Sequence, residues 1–261
     1  MIEAKDILAD LHTHTIFSRH AYSTAYENII AAKNVGLKYV ALTDHFFGDG
    51  SILENRNELT RLKFAEKDIN KCALGTCVIG GVELNLGQKI EKPERIKNLS
   101  WCISGLHDFF VSLEELSLID VFNFFREATC YCKGFAHIER ELEKIANKRY
   151  SDSPLDLEIK KFLKNLVILA KEENIYLEVN ENSITKSDTG NYERMEYLIE
   201  LAKDNGNEIY LGTDSHFAGN IDNFTNALKL INKIGYPKSL IINCHEDKIR
   251  EKILHIPTTN E

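Results

Sequence analysis

Seven short apolar runs punctuate this chain, and a stretch of helical periodicity follows most of them. That alternation constrains the fold more than any single residue does. The runs cover 6–12, 38–43, 77–84, 100–106, 134–138, 175–180 and 208–213. Most are rich in Val, Ile, Leu and Tyr, which suits parallel strands buried on both faces. Between them lie helix signals. Thr24 and Glu27 form a capping box, Ile29, Ala32 and Val35 make a helical stripe, and Gly36 ends it. Ser112 and Glu115 predict a second start ahead of LSLIDVFNFF, and Ser153 with Pro154 a third that runs through KKFLKNLVILAKEEN. Residues 192–204 and 223–234 read as further helices, the latter closed by Gly235. Alternating β and α elements predict an α/β architecture. A length of 261 residues suits one barrel-sized domain over 1–261, and no repeat or Pro/Gly/Ser linker suggests a boundary.

The histidines turn this into an expectation about function. His12 and His14 close the first run, and Asp44 and His45 close KYVALTDH. Glu83 ends CVIGGVE, His107 ends WCISGLH, His137 ends GFAH and Glu178 ends IYLE. Asp214 and His216 end IYLGTDSH. With His20, seven of the nine histidines lie at or just beyond the C-terminal ends of strands. In an open sheet those ends form a line; in a barrel they converge, and barrel enzymes place their chemistry there. Residues i and i+2 of a strand share a face, so His12 can point with His14, and Asp214 with His216. Imidazole and carboxylate are ligands for zinc, manganese or iron, and the candidates outnumber what one ion can use. Two or three divalent ions are therefore expected. A histidine pH switch gives no reason for such pairs mixed with carboxylates. His245 and His255 lack partners of this kind and read as structural.

Composition narrows the partners. The net charge of −8 and the absence of a Lys/Arg block argue against nucleic acid. No apolar run reaches spanning length and the start lacks a signal-peptide core, so no membrane partner is expected. The six cysteines form no CxxC pair and read as reduced core thiols of a cytoplasmic protein. Nothing in the sequence sets the oligomeric state.

Six segments in order carry a family resemblance: DLHTHT at 10–15 with His20 following, LTDH at 42–45, GVE at 81–83, GLH at 105–107, FAH at 135–137 and GTDSH at 212–216. The chain resembles the PHP (polymerase and histidinol phosphatase) domain family, most closely its short stand-alone phosphoesterases. The resemblance implies a distorted (β/α)7 barrel with a trinuclear metal site at the C-terminal ends of the strands. It assigns His12, His14, Glu83 and Asp214 to one metal, Glu83, His107 and His137 to a second, and His20, His45 and His216 to a third. Glu83 would bridge. All nine positions hold the expected residue type. After His137, where short relatives usually have a proline-containing turn, this chain has the longer, charged HIERELEKIANKRYSDSP.

Such a site points to phosphate ester hydrolysis. A metal lowers the pKa of bound water toward neutrality, and two metals about 3.5–4 Å apart can hold the hydroxide and neutralise phosphoryl oxygens. Glu83 and Asp214 are the catalytic candidates, with Asp214 or a metal-bound water as the proton donor to the leaving group. Arg19, Lys186 and Arg140 are the cations placed to bind the phosphate, and solvated loop charges are the alternative. Asp10, Asp44 and Glu178 read as support for the ligands or as strand-end and rim carboxylates. Residues 138–153 read either as a lid over the mouth or as a solvated connector. The leading expectation is a metal-dependent phosphomonoesterase for a small phosphorylated molecule, similar to histidinol phosphatase. A nuclease or phosphodiesterase, a phosphotyrosine phosphatase and a non-catalytic metal-binding interaction module are the alternatives.

Overall fold

The computed structural model describes residues 1–48, 66–72, 74–107, 112–146, 155–185 and 190–256. Seven strands, β1 (Ala9–Thr13), β2 (Tyr39–Leu42), β3 (Cys77–Asn85), β4 (Trp101–Gly105), β5 (Gly134–Phe135), β6 (Tyr176–Asn180) and β7 (Ile209–Gly212), pair in sequence order. Every neighbouring pair is parallel. β1 and β7 also meet: the Asp214 amide donates to the His12 carbonyl at 2.9 Å and the His14 amide to the Ser215 carbonyl at 2.8 Å. The result is a nearly closed (β/α)7 barrel, as the alternation of elements predicts. Every strand falls within a residue of its expected run, except that β1 begins three residues late and β5 is only two residues long. The chain before β1 forms a single 3-10 turn, Ala4–Asp6.

The strand interiors divide into two cores by the period of two. Val40, Leu42, Val78, Val82, Leu177, Val179 and Leu211 face outward, against the helices. Ala9, Leu11, Ile79, Trp101, Ile103, Tyr176 and Tyr210 fill the barrel, and Ile242, Ile249 and Ile253 join them from the C-terminal segment. The inward columns change character as they rise. Ile79 is followed on the same face by Gly81 and Glu83, Ile103 by Gly105, Tyr176 by Glu178, and Tyr210 by Gly212. An apolar plug thus underlies a polar mouth. Trp101 anchors the plug, donating its indole N–H to the Leu11 carbonyl at 2.9 Å and meeting Tyr210 edge-on.

The helices are α1 (Ala25–Val35), α2 (Leu118–Ala128), α3 (Leu157–Glu172), α4 (Asn191–Asp204) and α5 (Thr225–Ile234), with shorter turns between. α1 has the expected Thr24–Glu27 capping box and ends on Gly36 at φ 88°. α5 ends on Gly235 at φ 68°. Two starts differ from expectation. α2 opens at Ser117, whose side chain and Asp120 cap each other reciprocally, while Ser112 leads only a 3-10 turn with no side-chain cap. Ser117 wins because an acid three residues on completes the box in line with the apolar stripe. α3 opens at Asp156, which accepts from the Ile159 amide at 2.9 Å; Ser153 and Pro154 lie outside the described residues. Among the described residues no helix is long and apolar enough to cross a membrane. Cys102 and Cys132 are buried, but Cys72 and Cys130 are exposed, contrary to the expectation of core thiols.

Candidate active site

Glu83, fully buried at the top of β3, is the hub of the mouth. Its Oε1 lies 2.7 Å from His137 Nε2 and 3.4 Å from His107 Nε2. Its Oε2 lies 3.0 Å from His45 Nδ1 and 3.4 Å from the Nε2 atoms of both His12 and His14. Asp214 closes the ring from β7, its Oδ1 3.2 Å from His14 Nε2 and 3.6 Å from His12 Nε2. Further out, His20 and His216 bring their Nε2 atoms to 2.7 Å, and the His14 and His216 rings stack at 4.3 Å. All seven strand-end histidines and both carboxylates therefore meet in one place. Three overlapping sets hold their ligand atoms within 4.8 Å of one another: His12, His14 and Glu83; His45, Glu83 and His107; and His14, His45 and His216. The sets share His14, His45 and Glu83 more freely than the nine-residue partition of the sequence suggests.

Backbone irregularity aims several of these groups. The β1–β2 register slips between Asp10 and Thr13, next to the two histidines; such irregularities re-aim side chains beside active sites. His137 and Asp214 adopt φ of 30° and 53°. For residues with a Cβ this costs about 1–3 kcal/mol each and persists only where the surroundings enforce it. Two glycines make room. A Cβ on Gly105 would lie 2.3 Å from His137 Cε1 and 2.9 Å from Glu83 Oε1, and one on Gly212 would lie 2.2 Å from Glu178 Oε1.

Partners behind the rings fix their tautomers. His12 Nδ1 donates to Glu178 Oε1 at 2.7 Å, and Glu178 Oε2 accepts from the His137 amide at 2.8 Å. His14 Nδ1 donates to Ser18 Oγ at 2.9 Å, and that hydroxyl donates to Asp44 Oδ1 at 2.7 Å. Asp44 is held in turn by the amide and hydroxyl of Thr15. His107 Nδ1 meets Asn85 Oδ1 at 3.1 Å and His216 Nδ1 the Asp214 carbonyl at 3.0 Å. With Nδ1–H so committed, Nε2 is the atom that faces the interior in all four rings and the one free to bind a cation there. His12 and His14 then face each other Nε2 to Nε2 at 3.0 Å. Two nitrogens at that distance need a proton or a metal cation between them, and neutral His14 with His12 held charged shares a proton there until an ion takes its place. Glu83 Oε2, buried among three imidazoles, accepts no hydrogen bond from the described residues. The donor set fits divalent ions.

The electrostatics agree. Burial drives His14 down to about 3, so it is neutral at pH 7. Burial also opposes charge on Glu83, yet His107, His12 and His45 hold its carboxyl well below the usual range. Asp214 is likewise buried and likewise held low, by His12 and His14. On His12 burial acts downward, but Glu178, Glu83 and Asp214 outweigh it and keep its pKa well above the ordinary value. The pocket demands positive charge at its centre.

Around this centre the other expected residues take definite roles. Asp10 ties the seam, accepting from the Thr213 hydroxyl at 2.6 Å and amide at 3.1 Å. Glu178 is no rim carboxylate, since it is fully buried under His12 and His137. Arg140 is half-buried and pairs with Asp214 Oδ2 at 3.3 Å, so it is not a solvated loop charge. Arg19 sits beside His20 with its guanidinium 4.3 Å from the Phe47 ring centre. Lys186 lies outside the described residues, as do 147–153. The described start of the segment after His137 is not a charged run in solvent: Ile138, Leu142 and Ile145 are buried, and so is Glu139. His245 and His255 stand apart, on the Lys238 carbonyl and on Lys133 Nζ. Sequence reasoning missed Ser18, Asn85 and Asn182, whose amide donates to Asp214 Oδ2 at 3.2 Å. Asn85 was within reach of the i, i+2 rule from Glu83; Ser18 ends a single 3-10 turn, Ile16–Ser18, and Asn182 sits in the helical turn Glu181–Ile184, both too short to show periodicity.

A parallel barrel that gathers imidazoles and carboxylates over the C-terminal ends of its strands has the layout of a metal-dependent enzyme. No profile of a known protein family matches the chain. It is 32% identical over 257 residues to a probable phosphatase of Clostridium acetobutylicum, covering 94% of this chain and 93% of that one. It is 29% identical to a probable phosphatase of Photobacterium profundum over 91% of this chain and 90% of the other. The chain belongs to this family of probable phosphatases. Among solved structures it resembles histidinol phosphate phosphatase of Lactococcus lactis, determined with zinc, L-histidinol and phosphate. The TM-score is 0.59 at 18% identity, covering 88% of this chain and 94% of that one, a likeness of fold.

Proposed function

We propose that this chain is a metal-dependent phosphomonoesterase of the PHP type that acts on a small phosphorylated molecule. The observation that carries the reading is the inward Nε2 array of buried histidines around Glu83, with Nδ1–H fixed behind four of the rings. Nine side chains would hold two to three ions of zinc, manganese or iron: His12, His14, His20, His45, Glu83, His107, His137, Asp214 and His216. Glu83 reaches toward both inner groups with separate oxygens, as a bridging carboxylate must. When bound, such ions polarise phosphoryl oxygens and acidify water.

The chain's own residues supply the rest. The buried floor of the mouth excludes bulk water and strengthens every charge in it. Asp214 Oδ2 points to Arg140 and Asn182 while Oδ1 faces the histidines. That places one carboxylate between the reacting centre and the rim; held ionised by His12 and His14, it is suited to orient Arg140 and Asn182 and carries no proton of its own for the leaving oxygen, contrary to the expectation from sequence. Arg140 and Arg19 bracket the mouth as cations for the phosphoryl oxygens. Histidinol phosphate is one candidate substrate, since the Lactococcus lactis enzyme with this fold was solved with L-histidinol and phosphate. The test is elemental analysis of gently purified protein, followed by assay against phosphomonoesters and phosphodiesters. The expected result is at least two equivalents of transition metal and turnover of monoesters. Less than one equivalent after reconstitution, or turnover of diesters alone, overturns the reading.

A further inference from the structure

Ser18 is fully buried at the end of the turn Ile16–Ser18, and its one hydroxyl meets three groups. Asp44 Oδ1 lies 2.7 Å away, His14 Nδ1 2.9 Å and the His45 amide nitrogen 3.1 Å. A hydroxyl has one proton and two lone pairs, an amide N–H only donates, and a carboxylate only accepts. The Ser18 proton therefore goes to Asp44, and one lone pair takes the His45 N–H. The other lone pair is left for a proton on His14 Nδ1. Asp44 is a fixed acceptor. Thr15 presents its amide to Oδ1 and its hydroxyl to Oδ2, each at 2.7 Å, and the Asp44 carbonyl is tied to the Glu83 amide at 3.1 Å.

The front of the His14 ring pulls the other way. Its Nε2 stands 3.2 Å from Asp214 Oδ1, 3.4 Å from Glu83 Oε2 and 3.0 Å from His12 Nε2. The two carboxylates favour a proton on Nε2. The proton shared with His12, or an ion in its place, needs that nitrogen unprotonated. A neutral imidazole carries a single ring proton, so the two ends of the ring compete for it. His14 and Ser18 are both wholly buried, so bulk water does not stand in for a lost partner on either side. The hydroxyl behind the ring decides the outcome in front of it.

We infer that Ser18 is a positioning residue: it holds the His14 proton on Nδ1, keeps Nε2 open for an ion on the β1 side of the mouth, and pins the His45 backbone with the same hydroxyl. One side chain thus aligns ligands that follow two different strands. The relay does not include His107 or His137, which follow β4 and β5. This rests on the metal-dependent reading above and adds a residue to it. Nitrogen-15 NMR of the histidine rings in metal-free wild-type protein, assigned with His14→Gln, is expected to place the His14 proton on Nδ1. In Ser18→Ala that restriction is lost and the Nε2 form is expected to appear. Zinc titration against a competing chelator gives a second readout. At least one zinc of Ser18→Ala should loosen by about 10–100-fold while another stays within about twofold of wild type. A role confined to folding would shift every zinc or none and would not move the ring proton. Ser18→Thr, which restores the hydroxyl, should restore both readouts. An Nε2 proton on wild-type His14, a result that needs no variant to fold, overturns the inference and leaves the metal reading standing. So does a Ser18→Ala protein whose ring proton or zinc affinities are unchanged. A wild type that takes up less than one zinc overturns both.

Discussion

At the scale of single residues, the site depends on atoms that are present and on atoms that are missing. Glu83 alone faces two groups of histidines with two oxygens. Glu83→Ala is therefore expected to lower metal content and turnover more than loss of any one histidine; full occupancy with near-native turnover would show that Glu83 does not bridge. Gly105 is the opposite case. Adding a methyl there drives it into His137 and Glu83, so Gly105→Ala should cost on the order of 1–3 kcal/mol of stability, as overpacking does, and displace the ligands. Thermal melts with parallel metal analysis check this, and an unchanged melt with full metal content counts against it. The sequence made the ligands legible because imidazole and carboxylate at strand ends are rare without a purpose. It did not reveal the glycines' role, which depends on a neighbour arriving from another strand. Nor did it reveal the left-handed backbone of His137 and Asp214, since residue type argues against that conformation.

At the scale of elements, local chemistry was readable wherever it was self-contained. The Thr24–Glu27 box and the Gly36 and Gly235 stops lie within a few residues of their own helices and formed as expected. The starts of α2 and α3 were misjudged because several Ser and Asp residues compete there, and the apolar stripe decides among them. The Ser18 relay between His14 and Asp44 joins the β1 loop to the end of β2, so no single stretch announces it. The element that seals the barrel was also invisible. Asn243 donates to the carbonyls of Ala9 at 2.8 Å and Leu211 at 2.9 Å, and accepts from the Leu211 amide at 2.7 Å. Asn243→Ala should destabilise by about 1–3 kcal/mol through these orphaned groups. Denaturant titration measures it, and a loss under half a kilocalorie would show that water replaces the side chain.

At the scale of the whole molecule, the barrel follows from alternation of strands and helices, the place of the site from where the histidines fall in it, and the hydrolase class from the likeness to probable phosphatases. The C-terminal segment then braces the barrel from below. Lys248 and Lys252 both reach Glu208, at 2.6 and 2.7 Å. Burial alone would raise the Glu208 carboxyl, but these hydrogen bonds hold it below its usual range. Its contribution is therefore present above the unfolded carboxylate pKa of about 4.3 and disappears as pH falls through the lower folded value. Glu208→Gln should lower the melting temperature slightly at pH 7, as pairs of this exposure are worth about 0–1 kcal/mol, and the difference should close below about pH 4. A gap that widens in acid would reverse the sign.

The seam between β1 and β7 has a further consequence. His12, His14 and His20 come from one side of it and Asp214 and His216 from the other, so the first and last strands of the barrel meet across the proposed metal ligands. An ion held there acts as a clasp on a hoop: it fastens the chain's beginning to its end. Chelation is then expected to do more than silence the enzyme. Amide exchange should quicken first at His14 and Asp214, whose backbone bonds cross the seam, while the β3–β4 ladder on the far side stays protected. Uniform acceleration around the ring would mean that the hoop holds without its clasp.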